Sequence, residues 1–261
     1  LLKEESNIDK VTDIAGGSYY IENLTASLID QAWKLFLETS DKGGFLTALQ
    51  EGFVQKQIGE MAARRDQNLA LRRENLLGVN QFPNFTETLS EELDPSVFRP
   101  VDLAVENARV ETLKPYRAGQ RFEALRYRTD RYALTHKRPS AFMLTTGNLA
   151  MRKARSQFSC NFFAVAGFEV IDNNGFASVE EGLAAARQAG AEIIVVCSSD
   201  EEYADLVPAL VPLLNKKEIV VVAGNPACRP DLEALGVKHF IHIRSNLLQE
   251  LTEFQSKLIK D

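Results

Sequence analysis

The stretch FMLTTGNLAMRKARSQF, Phe142–Phe158, runs from an apolar strand through a glycine-containing bend into a helix. α/β folds use that order, and they place their ligands at such bends. Downstream of Pro139 the unit repeats. Strands are predicted at 141–146 (AFMLTT), 168–172 (FEVID), 192–198 (EIIVVCS), 218–224 (EIVVVAG) and 239–243 (HFIHI). Short, continuous apolar runs, rather than alternating ones, mark strands covered on both faces. Helices are expected near 148–165, 178–189, 200–214, 230–235 and 246–259. Ser178 with Glu181 three residues on forms a capping box, and Gly190 and Gly236 stand where helices should end. With right-handed crossovers, these strands most simply give an α/β, flavodoxin-like, doubly wound parallel sheet of order 2-1-3-4-5.

Upstream of Pro139 the pattern is helical. Leu24, Leu28, Ile29, Ala32, Trp33, Phe36 and Leu37 follow a helical period that DKGG at 41–44 stops. A second amphipathic helix is expected beyond it and into the basic segment near Arg72, with Phe45, Leu49, Phe53, Ile58 and Met61 as its buried stripe. Residues 78–100 are rich in turn formers and read as an extended connector, followed by a helical pair over roughly 101–113 and 119–136. The chain therefore divides into a helical linker region, 1–138, and a flavodoxin-like domain, 139–261.

Composition narrows the function. The 261 residues are 45% hydrophobic and 25% charged, which suits one large or two medium domains. No run of about 18 apolar residues is present to span a bilayer, and the N-terminus lacks a basic region followed by an apolar one. The missing initiator Met suggests a fragment or processed chain. A net charge of −6 argues against nucleic acid as a partner. Lys114–Arg138 is a basic exception, with eight Lys/Arg against Glu123 and Asp130, and Arg64, Arg65, Arg72 and Arg73 form a second cluster. Both read as helix faces pairing with acidic protein surface. Cys160, Cys197 and Cys228 are too widely spaced for a zinc site or a disulfide framework, so a reducing compartment is expected.

In such a sheet a ligand crevice opens at the carboxyl ends of strands 1 and 3. Its residues are expected to be Gly147, Asn148, Ser198, Ser199, Gly224 and Asn225, with Thr145, Thr146 and Asp200 beside them. These are small polar groups with free backbone N–H donors suited to cradling a phosphate or a flavin. No GxGxxG and no GxxxxGK[ST] supports a nucleotide, and Asp200 alone is too little acid for a response regulator. Ser198 and Ser199 lack a G-x-S-x-G elbow. The only histidines are His136, His239 and His242, the last two in or at the end of the fifth strand and read as structural. Cys197, inside an apolar run, reads as a small buried hydrophobe.

Several motifs together carry a resemblance: DIAGGSYYIENLT (13–25), FVQKQIGEMA (53–62), RRENLLGVNQF (72–82) and RFEALRYRTD (121–130). They resemble the segment that follows the barrel in methylmalonyl-CoA mutases, and the similarity continues through the five-strand domain. The resemblance implies a preceding (β/α)₈ barrel that binds acyl-CoA and a C-terminal domain that holds adenosylcobalamin through Asp-x-His-x-x-Gly after strand 1. There the His ligates cobalt, the Asp orients the imidazole, and the Gly gives clearance. In this chain those positions fall on Leu149, Met151 and Ala154, or, anchored downstream, on Ala150, Arg152 and Arg155. Neither register supplies the motif, and no histidine occurs between His136 and His239. Met151 reads as a core-facing methionine.

The pattern resembles the small, non-catalytic subunits of heterodimeric bacterial members. That likeness implies a cytoplasmic assembly subunit of an isomerase, with no catalytic, cofactor-binding or metal residues of its own. Adenosylcobalamin and the interconversion of methylmalonyl-CoA and succinyl-CoA would belong to a large partner subunit. Two other readings stand beside it: a piece of a catalytic cobalamin-dependent mutase, and a regulatory module that binds a small molecule in the emptied crevice.

Overall fold

Ser140–Thr145 is buried at every residue, and this strand, β1, sits inside the sheet rather than at its edge. The computed structural model describes residues 1–89, 93–99 and 109–260. β1 pairs in parallel with β2 (Glu169–Ile171) on one side and β3 (Ile193–Cys197) on the other. β4 (Ile219–Ala223) and β5 (His239–Ile241) extend the sheet to the order β2-β1-β3-β4-β5, every pair parallel. The flavodoxin-like α/β fold expected from the sequence is the fold observed. In register, Thr145 lies opposite Cys197 and Ala223 opposite Ile241, so neighbouring strands finish close to level. The loops that follow them share one edge.

The helices form the two covering layers. α5 (Leu149–Ala164) and α9 (Leu247–Leu258) bury Phe162, Phe163, Leu251 and Phe254 on one face. α6 (Val179–Ala189), α7 (Tyr203–Leu210) and α8 (Arg229–Ala234) bury Leu183, Val207, Leu210 and Leu232 on the other. Each such side chain contributes roughly 1.5–3 kcal/mol when fully removed from water. The Ser178 cap forms, its Oγ accepting from Glu181 N–H, and α6 stops at Gly190.

Contacts divide the chain into two bodies, residues 1–60 with the described part of 103–113, and 61–102 with 114–261. In the second, α4 (Gln120–Ala133) lies on α9, where buried Gln255 donates to Leu125 O at 2.6 Å and Thr129 Oγ1 at 2.8 Å. Part of the basic run is engaged here. Arg138 pairs with Asp130 at 2.7 Å and donates to Gly167 O, and Arg126 reaches the carbonyls of Asn84 and Glu87.

In the first body α1 (Tyr19–Asp41) has no buried residue. The helix expected from Phe45 onward is broken into α2 (Phe45–Gln50) and α3 (Phe53–Ala70), because Gly52 takes φ +79°, a left-handed conformation that ends a helix. Its stripe is not buried as expected. Phe45, Ile58 and Met61 are exposed, since no element among the described residues covers that side. Gln55 is buried and ties the break to Leu49 O and Glu111 O, both at 3.0 Å. Most of the expected 101–113 helix lies outside the described residues. No helix among the described residues is long and apolar enough to cross a membrane.

Candidate functional site: the carboxyl edge of the sheet

The bend after β1 turns on Gly147, whose φ of +71° suits a residue without Cβ. Asn148 then caps α5, its Oδ1 accepting from Ala150 and Met151 N–H at 3.1 Å. Both residues face the end of β3, as the topology requires. What fills the space between them is Glu202, at the start of α7. Its carboxylate accepts from Asn148 N–H at 3.1 Å, Ser199 N–H at 3.1 Å and Ser199 Oγ at 3.0 Å. The Ser198 hydroxyl lies between this carboxylate and the Thr146 carbonyl. A Cβ on residue 147 would stand 2.3 Å from Glu202 Oε2, so the glycine makes room for this side chain.

These donors lower the Glu202 pKa from 4.5 to about 2, the Ser198 hydroxyl contributing most and the Ser199 N–H next. The backbone N–H groups that were expected to cradle an anion thus hold the protein's own carboxylate. Glu202 was not among the residues singled out from the sequence. Its signal was present as the capping-box spacing Ser199-x-x-Glu202.

The rest of the edge is filled by arginines. Arg152 folds back onto Gly147 O at 3.2 Å and Asn174 O at 3.1 Å. Arg155 pairs with Asp200 at 2.9 Å, and both lie against Gly224, where an added Cβ would come within 2.9 Å of Asp200 Oδ1. Asn225 accepts from Arg229 at 3.0 Å. The six expected crevice residues therefore fall into two groups: Gly147, Asn148, Ser198 and Ser199 around Glu202, and Gly224 and Asn225 beside the arginines.

Met151 is exposed rather than core-facing, because it occupies the first turn of α5, beyond the end of the sheet. His239 is buried against Phe254, with Lys257 Nζ 2.7 Å from its Nε2, and burial followed by that charge lowers its pKa. His242 follows β5, its Nδ1 accepting from Arg244 N–H at 3.1 Å. Burial raises the Cys160 thiol to about 12 and the Cys197 thiol higher still, so both are unreactive hydrophobes at neutral pH. A corrin with a lower imidazole ligand needs a histidine and open floor at the β1–α5 bend. The bend offers Leu149, Met151 and Ala154, or Ala150, Arg152 and Arg155, beneath a seated glutamate, and these residues do not fit that group.

A family model described as methylmalonyl-CoA mutase matches residues 1–153. The methylmalonyl-CoA mutase small subunit of Porphyromonas gingivalis is 49% identical over 98% of this chain and 41% of its own length. The probable methylmalonyl-CoA mutase small subunit of Mycobacterium tuberculosis is 34% identical over 99% of this chain and 39% of its own. The mitochondrial methylmalonyl-CoA mutase of Bos taurus is 36% identical over 46% of the chain and 15% of its own. The chain spans about two fifths of the length of the small subunits it matches.

Proposed function

The chain belongs to the methylmalonyl-CoA mutase family, and from that premise we propose that it is part of a non-catalytic small subunit that serves assembly. Its partner is a large subunit that carries adenosylcobalamin and the acyl-CoA isomerisation, in the bacterial cytoplasm. The relatives that cover nearly all of the chain are named small subunits, which supports the first half of this reading. The observation that carries the second half is the Glu202 carboxylate held by the N–H groups of Asn148 and Ser199, where β1 and β3 part. A negatively charged side chain anchored by several hydrogen bonds closes the crevice against a large cofactor. The family's activity therefore needs another chain.

Titration of the purified chain with adenosylcobalamin, followed by visible spectroscopy, tests this directly. The expected result is a spectrum that is the sum of its parts at every ratio. A saturable change to a histidine-ligated, base-off species would overturn the reading. Mixed with a homologous large chain that has Asp-x-His-x-x-Gly, the small chain is expected to co-elute, and separate elution would count against the assembly role.

A further inference from the structure

Past β4 and β5, the carboxyl edge of the sheet gathers basic side chains from four separate stretches. Arg72 follows α3, Arg155 lies on α5, Arg229 opens α8, and Arg244 stands in the turn between β5 and α9. Arg155 lies against Gly224, Arg229 donates to the adjacent Asn225, and Arg72 lies over Phe158, one turn of α5 from Arg155; the charge of all four arginines reaches His242. Burial, and then the positive charges of Arg229, Arg244, Arg155 and Arg72, hold its imidazole below the ordinary pKa. In a chain of net charge −6 this concentration runs against the overall balance.

Arg72, Arg155 and Arg229 are held in position rather than loosely solvated. Arg72 takes φ +54°, an unusual conformation for a side-chain-bearing residue. Its guanidinium lies 4.6 Å from the Phe158 ring centroid and 5.3 Å from that of Phe162. Desolvation lowers its pKa to about 10. Arg229 lies 4.6 Å over Phe240 while donating to Asn225 and Glu233. Asp200 and Glu233 each pair with one arginine; Glu250, which the charge of Arg229 also reaches, is pushed by burial toward its neutral form. Arg72 Nη2 and Arg155 Nε are buried donors without an acceptor among the described residues.

We propose that this cluster binds a phosphate-bearing small molecule through Arg72, Arg155, Arg229 and Arg244, with His242 among them. Planar guanidinium forks match phosphate oxygens two at a time, and a compact tetrahedral oxyanion meets several converging forks at once, which a single carboxylate side chain does not. The site is separate from the seat of Glu202 and does not depend on the proposed assembly role.

Inorganic pyrophosphate, titrated into the purified chain at constant ionic strength, is the probe, and the imidazole C2–H resonances are the readout. The chain has three histidines, and His242→Gln assigns the relevant signal. A saturable shift of that signal is expected, with a rise in the His242 pKa as the bound anion stabilises the imidazolium. Arg244 is exposed, so Arg244→Ala leaves the fold intact, and it is expected to weaken binding about tenfold. Adenosine diphosphate binding more tightly than pyrophosphate would identify a nucleotide source, and equal binding would identify the phosphates alone; both support the site. No saturable shift, an equal shift from sulfate, or tighter binding of an oligoglutamate peptide would overturn it.

Discussion

Glu202 owes its low pKa to hydroxyl and N–H donors that exist only in the folded chain. The sign of the pH dependence follows. With an unfolded value of 4.5 and a folded value of about 2, protons bind the unfolded chain more readily. The stabilisation is complete above pH 4.5, shrinks as the pH falls and is gone below about 2. Glu202→Gln is expected to lower stability at pH 7 by about 1 kcal/mol, a modest figure because the side chain is only partly buried and the amide oxygen keeps some of the donors. Urea midpoints should show the deficit closing between pH 4.5 and pH 2; a deficit unchanged at pH 2.5 would contradict this account. The positions around the crevice were legible in the sequence because a strand–glycine–helix order fixes them. The occupancy of the crevice was not, since it depends on two segments 54 residues apart meeting at the sheet edge.

At the scale of elements, close approach decides more than propensity. On α6, a Cβ at Gly182 would stand 2.7 Å from Leu144 Cγ of β1. Helix propensity favours Gly182→Ala by about 1 kcal/mol, whereas overpacking a filled core costs about 1–3 kcal/mol. A net loss of up to about 2 kcal/mol is expected, read as a lower melting temperature by circular dichroism; a rise would show that β1 and α6 separate more easily than the packing implies. The inner strands and their helices were readable because β1, β3 and β4 are covered on both faces by the same chain. The stripe of Phe45, Ile58 and Met61 was misread for the converse reason: periodicity reports an apolar side but not what covers it.

For the whole molecule that uncovered side is where a further element or chain would pack. α1 presents Leu28, Ile29, Trp33 and Phe36 to solvent, and Trp33, 58% exposed and stacked on Phe36 at 5.1 Å, is the only tryptophan in the chain. Contiguous apolar surface of this kind marks an interaction face. The proposed assembly predicts that the purified chain emits as a solvent-exposed indole, and that adding the large subunit shifts the emission to the blue and protects it from acrylamide. Unchanged emission on co-elution would place the contact elsewhere.

The glutamate seat also bears on how this bend can change by substitution. Placing a histidine after β1 would leave Glu202 anchored and Arg152 folded over Gly147. Removing Glu202 first would strand the N–H groups of Asn148 and Ser199 without bringing in a ligand. Each change alone is neutral or harmful, so the two form an epistatic pair, and a histidine-ligated site at this bend needs both at once.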